Sequence, residues 1–149
     1  MEKTLEKIPA AVEKRLREEQ VIWLTTVRAD GMPLPTPVSF LWDGETVLIY
    51  TTPNSLKLRN IARNPHAALN LNSDEWGRDA VVLLGQIRED RLAPPLLQNT
   101  GYLEKYRAAI GDGLQMTPET FSQKFSVPLR FTPERIRVIK LDSTNISKG

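Results

Sequence analysis

Three prolines in five residues, Pro33, Pro35 and Pro37, fall inside a stretch, Met32 to Trp42, that otherwise has the composition of a β-strand. Proline has no N–H to give to a ladder, so this segment cannot be a central strand, and its first half is expected to be an edge strand or a bulge. Turn signals flank it. Upstream, Val21 to Arg28 is rich in β-branched and aromatic residues and runs into Ala29-Asp30-Gly31. Downstream, Trp42-Asp43-Gly44-Glu45 offers a tight turn into Thr46 to Thr52, where Val47, Ile49 and Thr51 alternate with Leu48 and Tyr50. Early strands joined by turns, with no crossover helix between them, favour a closed or nearly closed antiparallel barrel over βαβ winding.

The remaining segments extend that pattern. Pro9 to Glu19 reads as an amphipathic helix, with Pro at a first helical position and Val12 and Leu16 at i,i+4 spacing. A short helix from about Ser55 to Arg63 carries Leu58, Ile61 and Ala62 on one face and is ended by Pro65. His66 to Leu71 and Ala80 to Arg88 read as strands, and Gly85 inside the second marks a bulge or a close backbone approach. From Leu92 to Gln123 the pattern turns helical through Tyr102, Leu103, Tyr106 and Ile110. It breaks at Gly111-Asp112-Gly113 and restarts with Thr117-Pro118 as cap and first turn. Pro128 to about Leu141 is the last strand. The expectation is six strands with flanking helices in one domain over residues 1–142, followed by a flexible tail at 143–149.

A chain of 149 residues suits one core that buries on the order of two-thirds of the unfolded surface. Charged residues at the N-terminus (Glu2, Lys3, Glu6, Lys7) stand where a leader's apolar region would be, and no apolar run approaches the ~20 residues of a membrane helix, so a soluble cytoplasmic protein is expected. The net charge is +2, but acidic and basic residues are interspersed without a Lys/Arg block, which argues against nucleic-acid binding. There is no cysteine and His66 is the only histidine, so thiolate chemistry, a histidine triad and a transition-metal site are not expected. No G-x-S-x-G, G-x-x-x-x-G-K-[ST] or G-x-G-x-x-G string is present.

One segment carries chemistry. Tyr50-Thr51-Thr52 closes a strand with hydroxyls, a helix begins at Asn54 or Ser55, and Lys57 sits in its first turns, where the helix dipole disfavours a cation. An anion there would gain free backbone N–H groups, the dipole, the hydroxyls and the Lys57 charge together. On spacing alone the same residues also fit a solvated face with Lys57, Arg59 and Arg63 turned to water.

Pro37-Val38-Ser39-Phe40, the Asp43-Gly44 turn, Tyr50-Thr51-Thr52, the S-x-K-x-x-N-I-x-x-N-P string from Ser55 to Pro65, and the final Pro128 to Val138 strand resemble the pyridoxamine-phosphate-oxidase-like superfamily. The chain is most similar to its F-420-dependent oxidoreductase branch, over roughly Val21 to Leu141. The resemblance implies a six-stranded antiparallel split β-barrel that forms a homodimer, with a flavin-type cofactor at the interface. F-420 is expected and FMN is the alternative; the reaction is hydride transfer to or from a small organic substrate. Carried over by position, Pro37, Val38 and Ser39 lie along the ring. Ser39 offers a polar contact, Thr51 and Thr52 line the ring and ribityl chain, Lys57 binds the phosphate, and Tyr50, Ser55 and Asn60 belong to the strand end and helix near it. Asn60 fits a bracing role as well. Trp42, Trp76 and Tyr50 are candidates to stack on a ring or substrate, Arg59, Arg63 and Arg78 to meet the polyanionic tail of F-420, and Leu92 to Gln123 to be the variable element beside the site. An apolar edge formed by Val38, Phe40 and Trp42 is expected to need cover from a second copy. The chain lacks the terminal R-x-H motif of pyridoxamine phosphate oxidase proper, so vitamin B6 oxidation is not expected. A haem-binding split barrel, with His66 as axial ligand, is the remaining alternative.

Overall fold

The computed structural model describes residues 2–4 and 8–140, so the expected tail at 143–149 lies outside the described residues. The strands are β1 (Glu2–Thr4), β2 (Ile22–Val27), β3 (Pro33–Val38), β4 (Leu41–Trp42), β5 (Val47–Thr51), β6 (His66–Leu71), β7 (Ala80–Glu89) and β8 (Val127–Ile139). The helices are α1 (Ala10–Glu18), α2 (Leu56–Arg63), α3 (Thr100–Ala108) and α4 (Pro118–Lys124). All pairings are antiparallel, in the order β3-β2-β6-β7-β8-β5-β4, and β1 pairs with β8 beside that path. The strand count departs from the expected six in two ways. The Pro-rich segment is two strands separated by Ser39 and Phe40, and Glu2–Thr4 adds one more.

The prolines stand on the outermost strand of the path. Arg28 N–H donates to the Met32 carbonyl at 2.9 Å, which makes Arg28 and Met32 a hydrogen-bonded pair. Bonded and non-bonded pairs alternate along an antiparallel ladder. Pro33, Pro35 and Pro37, registered with Val27, Thr25 and Trp23, therefore occupy the non-bonded pairs, and their nitrogens face away from β2. Three residues that would interrupt a central strand remove no ladder bond here.

The two ends of the sheet path, β3 and β4, are consecutive in the chain, and only Ser39 and Phe40 lie between them. The sheet must curl until its ends meet, which makes it a split barrel. Its interior holds Ile22, Leu24, Ile49, Leu69, Leu83, Ile87, Leu129 and Phe131, and α1 closes one end with Val12 and Leu16. Phe40 and Trp42 are in this core at 0% and 3% exposure, so the apolar edge expected to need a second copy is covered within the chain. A second cluster forms on the other face of β5, where Leu48 and Tyr50 pack against Leu96, Tyr102, Tyr106, Ile110 and Phe121. Both faces of β5 are buried for this reason.

Gly85 is both bulged and closely approached. The ladder shifts register between Leu84 and Gly85, and a Cβ on Gly85 would lie 2.1 Å from the Thr132 carbonyl oxygen. Arg130 ties loops to β8: its Nε donates to Asp90 at 2.7 Å and its Nη1 to Asp43 at 3.2 Å. Burial pushes the Asp43 carboxyl up, but the Thr46 and Glu45 N–H groups, the Thr46 hydroxyl and Arg130 outweigh it and hold the group below its ordinary value. Asp90 is held low mainly by its bond to Arg130.

Gly85→Ala is expected to destabilise the fold by about 2–3 kcal/mol, since backbone cannot yield as a side-chain tip can; urea midpoints measure it. The depressed carboxyls stabilise the folded state above the unfolded pKa, and that stability is lost as pH falls below about 4. In Arg130→Met the decline between pH 6 and 2.5 should be shallower, and neutral-pH stability lower, in the same assay.

Candidate functional site

The Ser39–Phe40 junction is held by the helical insertion. Phe40 N–H donates to the Tyr106 hydroxyl at 2.8 Å, and that hydroxyl donates to the Gln20 carbonyl at 2.7 Å. Lys105 Nζ donates to the Phe40 carbonyl at 2.8 Å and sits 3.7 Å above the centre of the Phe40 ring. The hydroxyls of Ser39 and Tyr102 bond to each other. Tyr102, Lys105 and Tyr106 project from one side of α3 because their spacing is one helical turn. Beyond α3, Ala109–Gly113 forms a π turn, with Leu114 N–H reaching the Ala109 carbonyl at 3.0 Å.

Beside this junction lies a cleft of about 320 Å³. One wall is Pro37, Val38 and Ser39; the floor is Tyr50 and Thr51; Lys57 stands at one end, and Val21, Leu114, Phe121 and Phe125 line the rest. Phe121 and Phe125 stack with ring centres 4.4 Å apart. The cleft is polar and cationic on one side and aromatic on the other.

Lys57 is positioned by the turn from β5 into α2. Asn54 adopts φ +64, which Asn tolerates better than most residues. Ser55 then caps α2 by accepting from Leu58 N–H at 3.3 Å. Lys57, half-buried, reaches back to donate to Thr51 Oγ1 at 3.1 Å. Burial holds its amine below the ordinary lysine range. Among the described residues no carboxylate lies within ion-pair distance of it, so its charge is desolvated without being neutralised.

Six of the nine residues singled out from the sequence share this cleft: Pro37, Val38, Ser39, Tyr50, Thr51 and Lys57. Thr52, Ser55 and Asn60 do not line it. Asn60 is 0% exposed, donates to the Thr26 hydroxyl at 3.2 Å and accepts from Arg63 at 3.2 Å, which ties α2 to β2. Of the stacking candidates only Tyr50 reaches the cleft, since Trp42 is in the core and Trp76 is 68% exposed on the β6–β7 loop. Arg59, Arg63 and Arg78 line no part of it, and Arg78 pairs with Asp74 at 2.6 Å. A larger hollow of about 690 Å³ lies on the outer face of the sheet, lined by Val27, Ala67, Ala68 and Leu84, with His66 at it. The smaller cleft is the better candidate because it joins an uncompensated cation to hydroxyls and an aromatic wall. Sequence reasoning missed Tyr102, Lys105 and Tyr106 as polar anchors. The available signal was the two phenols one turn apart on a helix face otherwise read as apolar.

Fold and cleft together define a split-barrel protein with a half-buried lysine in a cleft beside its barrel seam. Residues 8–139 match the family described as pyridoxamine 5'-phosphate oxidase, and the chain belongs to that family. Among solved structures it is similar to an F420 reductase, at 25% identity and TM-score 0.68 over 87% of this chain and 98% of that one. A conserved hypothetical protein from Mycobacterium tuberculosis matches at 21% identity and TM-score 0.70, over 90% of this chain and 85% of that one. HutZ, a haem storage protein from Vibrio cholerae, matches at 17% and 0.61, over 89% and 94%. No curated protein matches the chain by sequence.

Burial pushes the Lys105 amine down to about 8 against a weaker upward pull from Glu19, and pushes the Tyr102 phenol up to about 12. The two act with opposite sign. Between about pH 8 and 10.4 the folded lysine binds fewer protons than the unfolded one, so its contribution to stability rises with pH. The phenol's contribution is complete below about pH 10 and is lost as pH climbs toward 12. Urea unfolding across this range should show Lys105→Met without the rise and Tyr102→Phe with a smaller alkaline loss.

Proposed function

We propose that this protein is an oxidoreductase that holds coenzyme F-420 in the Lys57 cleft and exchanges hydride between it and a small organic substrate, with FMN as the alternative occupant. The observation that carries this reading is the half-buried Lys57 ammonium, which lines the cleft with a hydroxyl but, among the described residues, no carboxylate beside it. A desolvated cation of this kind is relieved by an anion such as a phosphate. The residues present fit such a group. Lys57 and the leading N–H groups of α2 would take the phosphate, while Pro37, Val38 and Ser39 offer a wall for a planar ring.

The bound cofactor would supply the hydride-carrying ring. The chain's own residues position it, and Leu114, Phe121 and Phe125 give the cleft's far side an apolar lining. F-420 is preferred to FMN on the likeness to an F420 reductase. The arginines expected to meet its longer tail lend no support, because they lie outside the cleft. The haem alternative draws on the likeness to HutZ, but its one handle, His66, lies at the outer-face hollow. That same face, where half-buried Val27, Ala68 and Leu84 sit beside Thr25, His66, Glu134 and Arg135, is the surface proposed for pairing two copies.

Lys57→Met keeps the aliphatic stem and removes the charge. Its affinity for the native cofactor should fall about ten- to hundredfold, with folding stability changed by less than about 1 kcal/mol. FMN and F-420 are titrated separately into both proteins, and unchanged affinities would remove Lys57 from the site. Light scattering should give twice the chain mass; a strict monomer would refute pairing through the outer face.

A further inference from the structure

We infer that Tyr102 is a positioning residue of the cleft: it fixes the Ser39 hydroxyl as a hydrogen-bond donor, so that the ligand atom opposite Ser39 is an acceptor, a carbonyl oxygen or an unprotonated ring nitrogen. The inference rests on the reading of the cleft as a cofactor site and adds to it the polarity of one contact.

Tyr102 is 0% exposed, and its hydroxyl bonds to Ser39 Oγ. Among the described residues no other hydrogen bond of that hydroxyl is present. The neighbouring phenols are engaged elsewhere: Tyr50 donates to the Pro94 carbonyl at 2.6 Å and Tyr106 to the Gln20 carbonyl at 2.7 Å. The rings of Tyr50 and Tyr106 pack against Tyr102 with centres 5.0 and 4.9 Å away, so its surroundings are dry. If Ser39 were the donor, the Tyr102 proton would have no acceptor in that setting, the arrangement buried polar groups avoid. A phenol is also the stronger acid of the two and the poorer acceptor. Tyr102 therefore donates and Ser39 accepts.

Ser39 then has its own proton to place. Its neighbour Phe40 is held through N–H by Tyr106 and through C=O by Lys105, so the junction cannot turn to offer another acceptor. The open side of Ser39 is the cleft. Lys57, at the other polar position, has only donors, and Thr51 Oγ1 already accepts from it and is 2% exposed. The polar lining thus presents donors, and it selects a ligand rich in anionic and carbonyl oxygens.

A double-mutant cycle tests this with FMN and F-420 as probes. Tyr102→Phe keeps the ring but frees the Ser39 hydroxyl, and Ser39→Ala removes it; each should weaken the bound probe about three- to tenfold. In the Ser39→Ala background Tyr102→Phe should have no further effect. An equal loss in both backgrounds would make Tyr102 a packing residue and overturn the inference. A second readout needs no ligand. With tyrosine labelled at Cζ, a Tyr102 hydroxyl that donates to Ser39 exchanges slowly and shows separate protonated and deuterated signals in mixed water. Those signals should merge in Ser39→Ala, and an unchanged pair would overturn the donor assignment. If the wild type binds neither probe, the cofactor reading falls, and the exchange experiment still decides the direction of the bond.

Discussion

The barrel seam and one wall of the candidate cleft both depend on the junction between Ser39 and Phe40. A strand whose outward nitrogens are all proline cannot extend the sheet on its free side, so the path ends at β3. The chain then crosses to the opposite end of the path within two residues. Such a crossing breaks ladder pairing and leaves backbone polar groups that must be satisfied otherwise. Tyr106 and Lys105 satisfy both the N–H and the C=O of Phe40, while the Phe40 ring plugs the barrel interior. The insertion is thus the third side of the barrel seam, and the cleft is the space left where strand, seam and insertion meet.

This dependence explains which parts of the architecture could be read in advance. Proline at the sheet edge, the bulge at Gly85, the Asp43-Gly44 turn and the Thr117 cap each follow from one residue's backbone chemistry, and each lies where that chemistry requires. Pairing of Glu2–Thr4 with Arg135–Arg137 is a long-range event with no local pattern. The split of the Pro-rich strand was hidden for a related reason. Ser39-Phe40-Leu41 continues the strand-like composition of Met32 to Trp42, and only the closure of the barrel decides that Phe40 turns inward at a crossing rather than within a strand.

The site was legible to a similar depth. Hydroxyls, a helix start and a lysine close in sequence were enough to locate the cationic end, since β5 and α2 are contiguous. The aromatic wall was not, because Leu114, Phe121 and Phe125 come from more than fifty residues downstream and line the cleft only once the π turn has redirected the chain after α3. Ser55 and Asn60 were in the right segment, but their side chains serve the helix: one caps it and the other anchors it to Thr26. Sequence adjacency identifies the segment; burial sorts its residues between holding the fold and facing a ligand.

The two half-buried lysines make that distinction sharp. Burial lowers the pKa of both amines, so each is a cation kept partly out of water. Lys105 has partners internal to the fold, a carbonyl at 2.8 Å and the face of Phe40 beneath it, yet burial outweighs them and still brings its amine down to about 8. Lys57 has a hydroxyl at 3.1 Å, which satisfies one of its three N–H groups and does little for its charge. Burial of the ammonium is unfavourable in the free protein, while α2 has its own cap in Ser55 and its own anchor to β2 in Asn60. On the proposed reading, the Lys57 charge is one half of an ion pair whose other half arrives with the ligand.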